Sequence, residues 1–136
     1  MRSICVLLLF VHGGCGDKAP TAGPGGAPSG ADALNEVGSM LRLYTGKANR
    51  GPAKVADLAE YEAGHPLALA AVRKGEIVIV WGATMAGEGE GGGAAEIVAY
   101  EKVAPTDGGA VLLQNGQVKT MTAAEFATAP KAAGKK

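Results

Sequence analysis

Cys15 is the side chain whose surroundings most clearly suggest chemistry. It follows the apolar run "ICVLLLFV" (residues 4–11) and the short stretch "HGG", and it precedes a polar, proline-bearing segment. Eight apolar residues are too few for a membrane-spanning helix, which needs about 20, but they are typical of the hydrophobic core of a secretory signal peptide. Cys5 lies inside the run and would be removed with it. The mature chain would then carry one thiol with no internal disulfide partner.

The sequence "VHGGC", residues 11–15, resembles the lipobox of bacterial lipoproteins, with His12 at the position where those proteins usually carry leucine. The resemblance implies that residues 1–14 are a signal peptide and that Cys15 receives a lipid such as palmitate. It also implies membrane attachment on the exported side of the cell envelope, at the periplasmic or outer membrane. Two alternatives stay open: an ordinary secreted protein with a free Cys15 thiol, and an uncleaved chain.

The segment after the cysteine consists of small and polar residues, "GDKAPTAGPGGAPSG" from Gly16 to Gly30. It has no large apolar side chain, so burial cannot offset the entropy lost on ordering. We therefore predict a disordered linker over residues 15–30, attached to the lipid at Cys15. A small domain follows over residues 31–129, and a flexible tail over residues 130–136.

The first element of the domain is predicted to be an amphipathic helix. Ser29 and Asp32 form a variant of the capping box that starts helices. Apolar residues then recur at helical spacing: Leu34, Val37, Leu41 and Tyr44. We expect this helix to end near Gly46, a second, shorter helix over residues 53–63, and one further helical turn in "PLALAAV".

Strands are predicted in the second half of the domain. "EIVIVW", residues 76–81, is apolar and β-branched, which favours a central strand covered by the first helix. Residues 95–103 form a second strand, and two more flank Asn115-Gly116 as a hairpin with a two-residue turn. A short helix from Thr122 then carries Phe126 back to the core. The predicted class is α+β, with two helices packed on a small, mainly antiparallel sheet of about four strands.

Two stretches of the domain resemble known families. The sequence "ADLAEY" (residues 56–61), after a helix ending in tyrosine and a loop with glycine and proline, resembles the globular part of type II secretion pseudopilins. The sequence "GGAVLLQNGQVKTMTAAEF" (residues 108–126) is similar to the closing hairpin of prepilin-like secreted proteins of planctomycete bacteria. The resemblance implies a pseudopilin-like fold and, as an alternative function, a secreted subunit of a secretion or filament assembly. Those families begin with a prepilin peptide and a long apolar helix, whereas this chain begins with a lipobox-like signal.

The remaining residues of chemical interest form no recognisable site. "GEGEGG", residues 87–92, has the glycine spacing of a dinucleotide-binding turn, but it precedes a strand and its two glutamates would repel phosphate. His65 has no cysteine partner, and Glu60 and Glu62 lie on different sides of a helix. We therefore predict no catalytic residue, metal ligand, cofactor or bound nucleotide, and a protein that is not an enzyme. A small exported hydrolase, with acids meeting from separate loops, is the second alternative.

Charge and aromatic content bear on the choice of partner. Thirteen basic side chains balance thirteen acidic ones, so there is no basic surplus of the kind that binds nucleic acid. Trp81 and Tyr100 are candidates for a protein-partner surface, although large rings on strands are more often core anchors. The leading hypothesis is a non-enzymatic, lipid-anchored cell-envelope protein whose small domain has a binding or structural role.

Overall fold

The computed structural model describes residues 29–86 and 96–134. Within these ranges the elements follow in this order: α1 (Gly30–Ala48), a 3-10 helix (Val55–Tyr61), α2 (Pro66–Lys74), β1 (Ile77–Ile79), β2 (Ile97–Glu101), α3 (Ala104–Asp107), β3 (Gly109–Leu113), β4 (Val118–Met121) and α4 (Ala123–Thr128). The strands form one antiparallel sheet in the order β1-β2-β3-β4. The predicted α+β class is confirmed. The predicted signal peptide, Cys15, nearly all of the linker and the "GEGEGG" loop lie outside the described residues.

Helix α1 begins where the sequence predicts. The Ser29 hydroxyl accepts the Asp32 N–H, and the Asp32 carboxylate accepts the Ser29 N–H at 3.0 Å, which completes a reciprocal capping box. The predicted apolar stripe is buried: Leu34, Val37, Leu41 and Tyr44. The helix continues past Gly46 to Ala48 and ends at Asn49, which adopts the left-handed conformation at φ 52°. Asparagine tolerates this conformation, so it terminates the helix in place of glycine.

The two helical segments after α1 differ from the prediction. The α-helix expected over residues 53–63 is a 3-10 helix with only Leu58 buried. The expected single turn in "PLALAAV" is instead the nine-residue helix α2. Pro66 suits the first position of α2, where an N–H would have no partner within the helix. The helix ends at Gly75, which has φ 72°. Helix α2 is longer because its own stripe, including Leu69 and Val72, is buried.

The prediction that residues 76–81 form a central strand is wrong. Strand β1 has three residues and lies at the edge of the sheet. Its burial alternates: Ile77 and Ile79 are buried, whereas Val78 is only half-buried. All three residues are apolar, so the sequence does not show this alternation. Helix α1 packs against β2 and β3, whereas β1 contacts α2.

The sheet buries both of its faces, and β2 contains a bulge. Ile97 pairs with Leu113 and Ala99 pairs with Leu112, so Val98 is an extra residue on β2. On the α1 and α2 face, Val98 and Ala99 both join the larger apolar cluster. The opposite face carries a smaller cluster, which comprises Ile97, Ala104, Val111, Leu113 and Phe126. The predicted return of Phe126 to the core is confirmed, with 4% of its surface exposed.

The hairpin between β3 and β4 is confirmed, but its turn has three residues rather than two. Leu113 donates its N–H to the Gln117 carbonyl at 2.9 Å and accepts the Gly116 N–H at 2.8 Å. A two-residue type I′ turn at Asn115-Gly116 would need a positive φ at both residues. Gly116 has φ 87°, but the φ of Asn115 is not positive. The Arg42 guanidinium donates to the Asn115 carbonyl at 2.8 Å, which ties the turn to α1.

The domain extends beyond residue 129, where the sequence places the start of a flexible tail. Lys131 pairs with Ile97 in a parallel bridge. Ala132 is 5% exposed and belongs to the larger cluster. Residues 130–132 are therefore part of the fold.

Candidate functional site

The residues singled out by the sequence are not gathered in one place. Cys15 lies outside the described residues, and α1 begins well after it, at Gly30. Trp81 is half-buried against the larger cluster, whereas Tyr100 is half-buried against the smaller one. The Tyr100 ring meets the Phe126 ring edge-on, with centroids 4.8 Å apart. The two aromatic rings thus support different faces of the sheet, and a partner surface would use one or the other.

The Glu36 carboxylate binds the N-terminus of α2. Its Oε2 accepts the Leu67 N–H at 3.0 Å and the Ala68 N–H at 3.1 Å. These are two of the donors that a helix N-terminus leaves without an intrahelical partner. His65, at the capping position, supplies no side-chain cap, so Glu36 of α1 takes that role.

The Glu101 carboxylate occupies the corner where α1 begins. Its Oε2 accepts the Ala110 N–H at 2.6 Å. A Cβ atom at Gly30 or at Gly109 would collide with this carboxylate, so both positions leave room for it. A cavity of about 150 Å³ lies beside it, between the start of α1, helix α2 and β1, with Lys74 and Glu76 at its wall. One oxygen of this carboxylate, Oε2, is therefore engaged with the backbone.

Two ion pairs fasten the 3-10 helix and the turn after it to the neighbouring helices. Lys47 Nζ lies 2.7 Å from Glu60 Oε2, and Arg73 Nη1 lies 2.5 Å from Glu62 Oε1. Hydrogen bonding to Lys47 lowers the pKa of Glu60 and raises that of Lys47. The hydrogen bond from Arg73 likewise lowers the pKa of Glu62. These glutamates, predicted not to form a carboxylate pair, each hold a basic residue instead.

Two more carboxylates act as helix caps. Glu125 Oε2 accepts the Thr122 N–H at 2.7 Å, and this backbone bond, followed by the one from the Thr122 hydroxyl, lowers the pKa of Glu125. The Ser29 hydroxyl, followed by the Ser29 N–H, lowers the pKa of Asp32 in the same way. Both acids stay ionised near neutral pH, as a capping role requires.

The described residues include few groups suited to other chemistry. Among residues 29–86 and 96–134, no three or more His, Cys, Asp or Glu side chains are placed to hold a metal ion. The His65 Nδ1 lies 3.4 Å from the Tyr61 carbonyl oxygen, at the start of α2. In the same part of the chain, no helix has both the length and the hydropathy of a membrane span.

The sheet has a further occupied position beside Ile97. The Ile97 N–H donates to the Pro130 carbonyl at 2.9 Å, and its carbonyl accepts the Ala132 N–H at 3.0 Å. Lys131 Nζ lies 4.4 Å from the centroid of the Phe126 ring. We call the position beside the Ile97 backbone that residues 130–132 fill the edge slot. It lies in line with β1.

No family model, curated protein or solved structure matches this chain.

Sequence reasoning missed the roles of Glu36 and Glu101 and the edge slot. Glu36 has the spacing of a solvent-facing residue of α1, and its partners lie 31 and 32 positions away. The edge slot joins residues 97 and 130–132 through backbone groups, which any residue except proline supplies in full. The one local signal was a helix start at Pro66 without a Ser, Thr, Asp or Asn just before it, which implies a capping group from elsewhere.

Proposed function

We propose that this is a non-enzymatic protein of the cell envelope, held at a membrane by a lipid on Cys15 and carrying a small domain with a binding or structural role. The observation that supports such a role is the use made of the carboxylates. In the part of the chain that the structure describes, five of them accept backbone N–H groups: Asp32, Glu36, Asp57, Glu101 and Glu125. A catalytic acid or base must be directed at a substrate, and these groups are directed at the protein's own backbone.

The number of residues between Cys15 and the domain is compatible with an anchored module. Thirteen residues, 16–28, separate Cys15 from the capping residue Ser29. A chain of this length spans at most about 50 Å when fully extended. Lipid on Cys15 would therefore keep the domain within about that distance of the membrane surface. Several long acyl chains hold a protein firmly, at about 0.8 kcal/mol for each buried methylene group.

Metabolic labelling with a clickable fatty acid tests the anchor. The full-length chain is expressed in a bacterium that processes lipoproteins, and label and membrane fractionation are measured. We expect the wild-type chain to carry label and to pellet with membranes. The Cys15→Ser variant should lose the label and leave the membrane fraction.

Cys5→Ser is the matched control, because it removes the other cysteine of the sequence and leaves Cys15 in place. This variant should label like the wild type. Label that persists in Cys15→Ser, or an unlabelled wild-type chain found in the medium, would refute the anchor. The intact mass of the mature protein then identifies its first residue.

The secreted pseudopilin-like subunit is the second candidate. It is favoured by the order of elements, in which a 19-residue helix precedes an antiparallel sheet of consecutive strands. A soluble, unlabelled chain that co-sediments with extracellular filaments would support this candidate against the first.

A further inference from the structure

The edge slot exists because β1 leaves the sheet early. Directly after β1, the Val80 N–H still donates to the Val98 carbonyl of β2, at 2.8 Å. The chain then turns at Gly82, whose φ is 81° and whose N–H donates to the Pro52 carbonyl at 2.7 Å. The backbone of Ile97 is thereby left without a β1 partner. Residues 130–132 pair with it instead, parallel to β2.

The slot selects for particular side chains. Ala132 is buried in the larger cluster, so a small apolar residue fits there. Lys131 lies over the Phe126 ring, and its Nζ donates to the Phe126 carbonyl at 3.3 Å, so a cation fits at the preceding position. A Cβ atom at Gly134 would collide with the Trp81 carbonyl, so the position two residues after Ala132 must be a glycine.

The segment in the slot is attached less extensively than the strands. Its backbone pairs with β2 at Ile97 only, whereas β2 and β3 pair at three positions. Within this segment only Ala132 is buried, whereas Pro130, Lys131, Ala133 and Gly134 are exposed. Helix α4 ends at Thr128, and Ala129 is already extended. A segment with few buried contacts at the edge of a sheet can open locally while the sheet stays folded.

We propose that the edge slot is a peptide-binding site, which the chain's own residues 130–134 occupy and which accepts an extended segment of a partner protein. The partner segment has a basic residue followed directly by a small apolar residue, and a glycine two positions later. Backbone pairing to Ile97 supplies part of the affinity, and the Phe126 ring and the part of the larger cluster that receives Ala132 supply specificity. This site is independent of any lipid on Cys15.

Two variants of the full chain test the site with a synthetic peptide of residues 129–136, "APKAAGKK", as the probe. Ala132→Glu places a charge in the larger cluster and should release the segment. Ala133→Glu adds the same charge at the exposed neighbouring position and should leave the segment in place. Amide hydrogen exchange at Ile97 reports occupancy, because this N–H donates to Pro130. Exchange at Leu113, bonded to Gln117 within the hairpin, reports an intact sheet.

We expect Ala132→Glu to raise the exchange rate of Ile97 at least about tenfold, which corresponds to about 1.4 kcal/mol of lost protection. The Leu113 rate should not change. Added peptide should restore the protection of Ile97 in this variant, and the same peptide with Lys131→Glu should restore it less. Ala133→Glu should behave like the wild type and show no response to the peptide.

Three results would overturn the site. The first is an Ile97 exchange rate that Ala132→Glu leaves unchanged. The second is fast exchange of the Ile97 N–H in Ala132→Glu that millimolar peptide does not slow. The third is binding of the peptide by Ala133→Glu as strong as its binding by Ala132→Glu. If Ala132→Glu also exposes Leu113, Gly134→Val replaces it, because this variant expels the segment by collision with the Trp81 carbonyl without burying a charge. The same outcomes then apply.

Discussion

Replacing Glu36 of α1 by alanine should destabilise the domain, because it removes the cap at the N-terminus of α2. The substitution removes the acceptor of the Leu67 and Ala68 N–H groups and leaves the start of α2 without a side-chain cap. Loss of a cap typically costs about 1 kcal/mol, and hydrogen bonds to a charged group are worth about 1.5–3 kcal/mol. Because water can reach the half-buried carboxylate, we expect a loss of about 1–2 kcal/mol.

Urea and thermal unfolding at neutral pH measure this loss. For a domain of this size, about 1.5 kcal/mol corresponds to a fall in Tm of about 6–12 °C. Glu36→Gln keeps an oxygen acceptor and loses only the charge beside the helix N-terminus, so it should cost less than Glu36→Ala. Asn35→Ala is the control, because Asn35 is exposed and uses its backbone carbonyl, not its side chain, to accept the Ser39 hydroxyl.

We expect Asn35→Ala to be neutral or slightly stabilising, since alanine is the better helix former. The reasoning about Glu36 is refuted if Glu36→Ala and Asn35→Ala agree to within about 0.5 kcal/mol, the usual range for surface substitutions without a specific role. Agreement would mean that the α2 N–H groups are satisfied equally well by water.

Two further perturbations test the hairpin and the last helix. Gly116→Ala places a side chain at φ 87° and against the Arg42 guanidinium, so it should cost at least about 1 kcal/mol in thermal unfolding; an equal cost in an Arg42→Ala background would show that the contact with Arg42 is irrelevant. The folded-state pKa of Glu125 lies below its unfolded value, so its contribution is present above the ordinary carboxyl pKa of about 4.3 and is lost as the pH falls through the lowered folded value. Glu125→Gln should therefore unfold more readily than the wild type at pH 7, and the two should converge in acid; a difference that grows below pH 4 would contradict the capping role.

Elements whose signals are local were predictable from the sequence. The capping boxes at Ser29 and Thr122 are satisfied by residues three positions away, and both helices start where those boxes place them. The stripe from Leu34 to Tyr44 needs only helical spacing. In each case the determining interactions lie within one or two turns of the chain, so a single sequence contains them.

Features set by tertiary contacts were not predictable. The sequence 76–81 is apolar enough for a central strand, yet β1 is an edge strand of three residues, and the chain turns soon after it at Gly82, whose N–H donates to the Pro52 carbonyl. The three-residue turn at Gly116 accompanies a bond between Arg42 and Asn115, which are 73 positions apart. Propensity cannot report such partners, because the same residues would satisfy a different register or turn equally well.

Polar contacts between elements supplement a core that contains many small side chains. Many of the buried positions are alanines, and each contributes less apolar area than a leucine or phenylalanine would. Side chains on one element therefore bind backbone groups of another: Glu36 at α2, Glu101 at β3 and Arg42 at the hairpin turn. Each of these contacts fixes an orientation that the small apolar side chains specify poorly. The same shortage of apolar contact applies at the edge slot, where the segment buries one alanine and bonds to the sheet through the backbone of Ile97 only, and this is the physical reason to expect exchange with a partner there rather than at the paired strands.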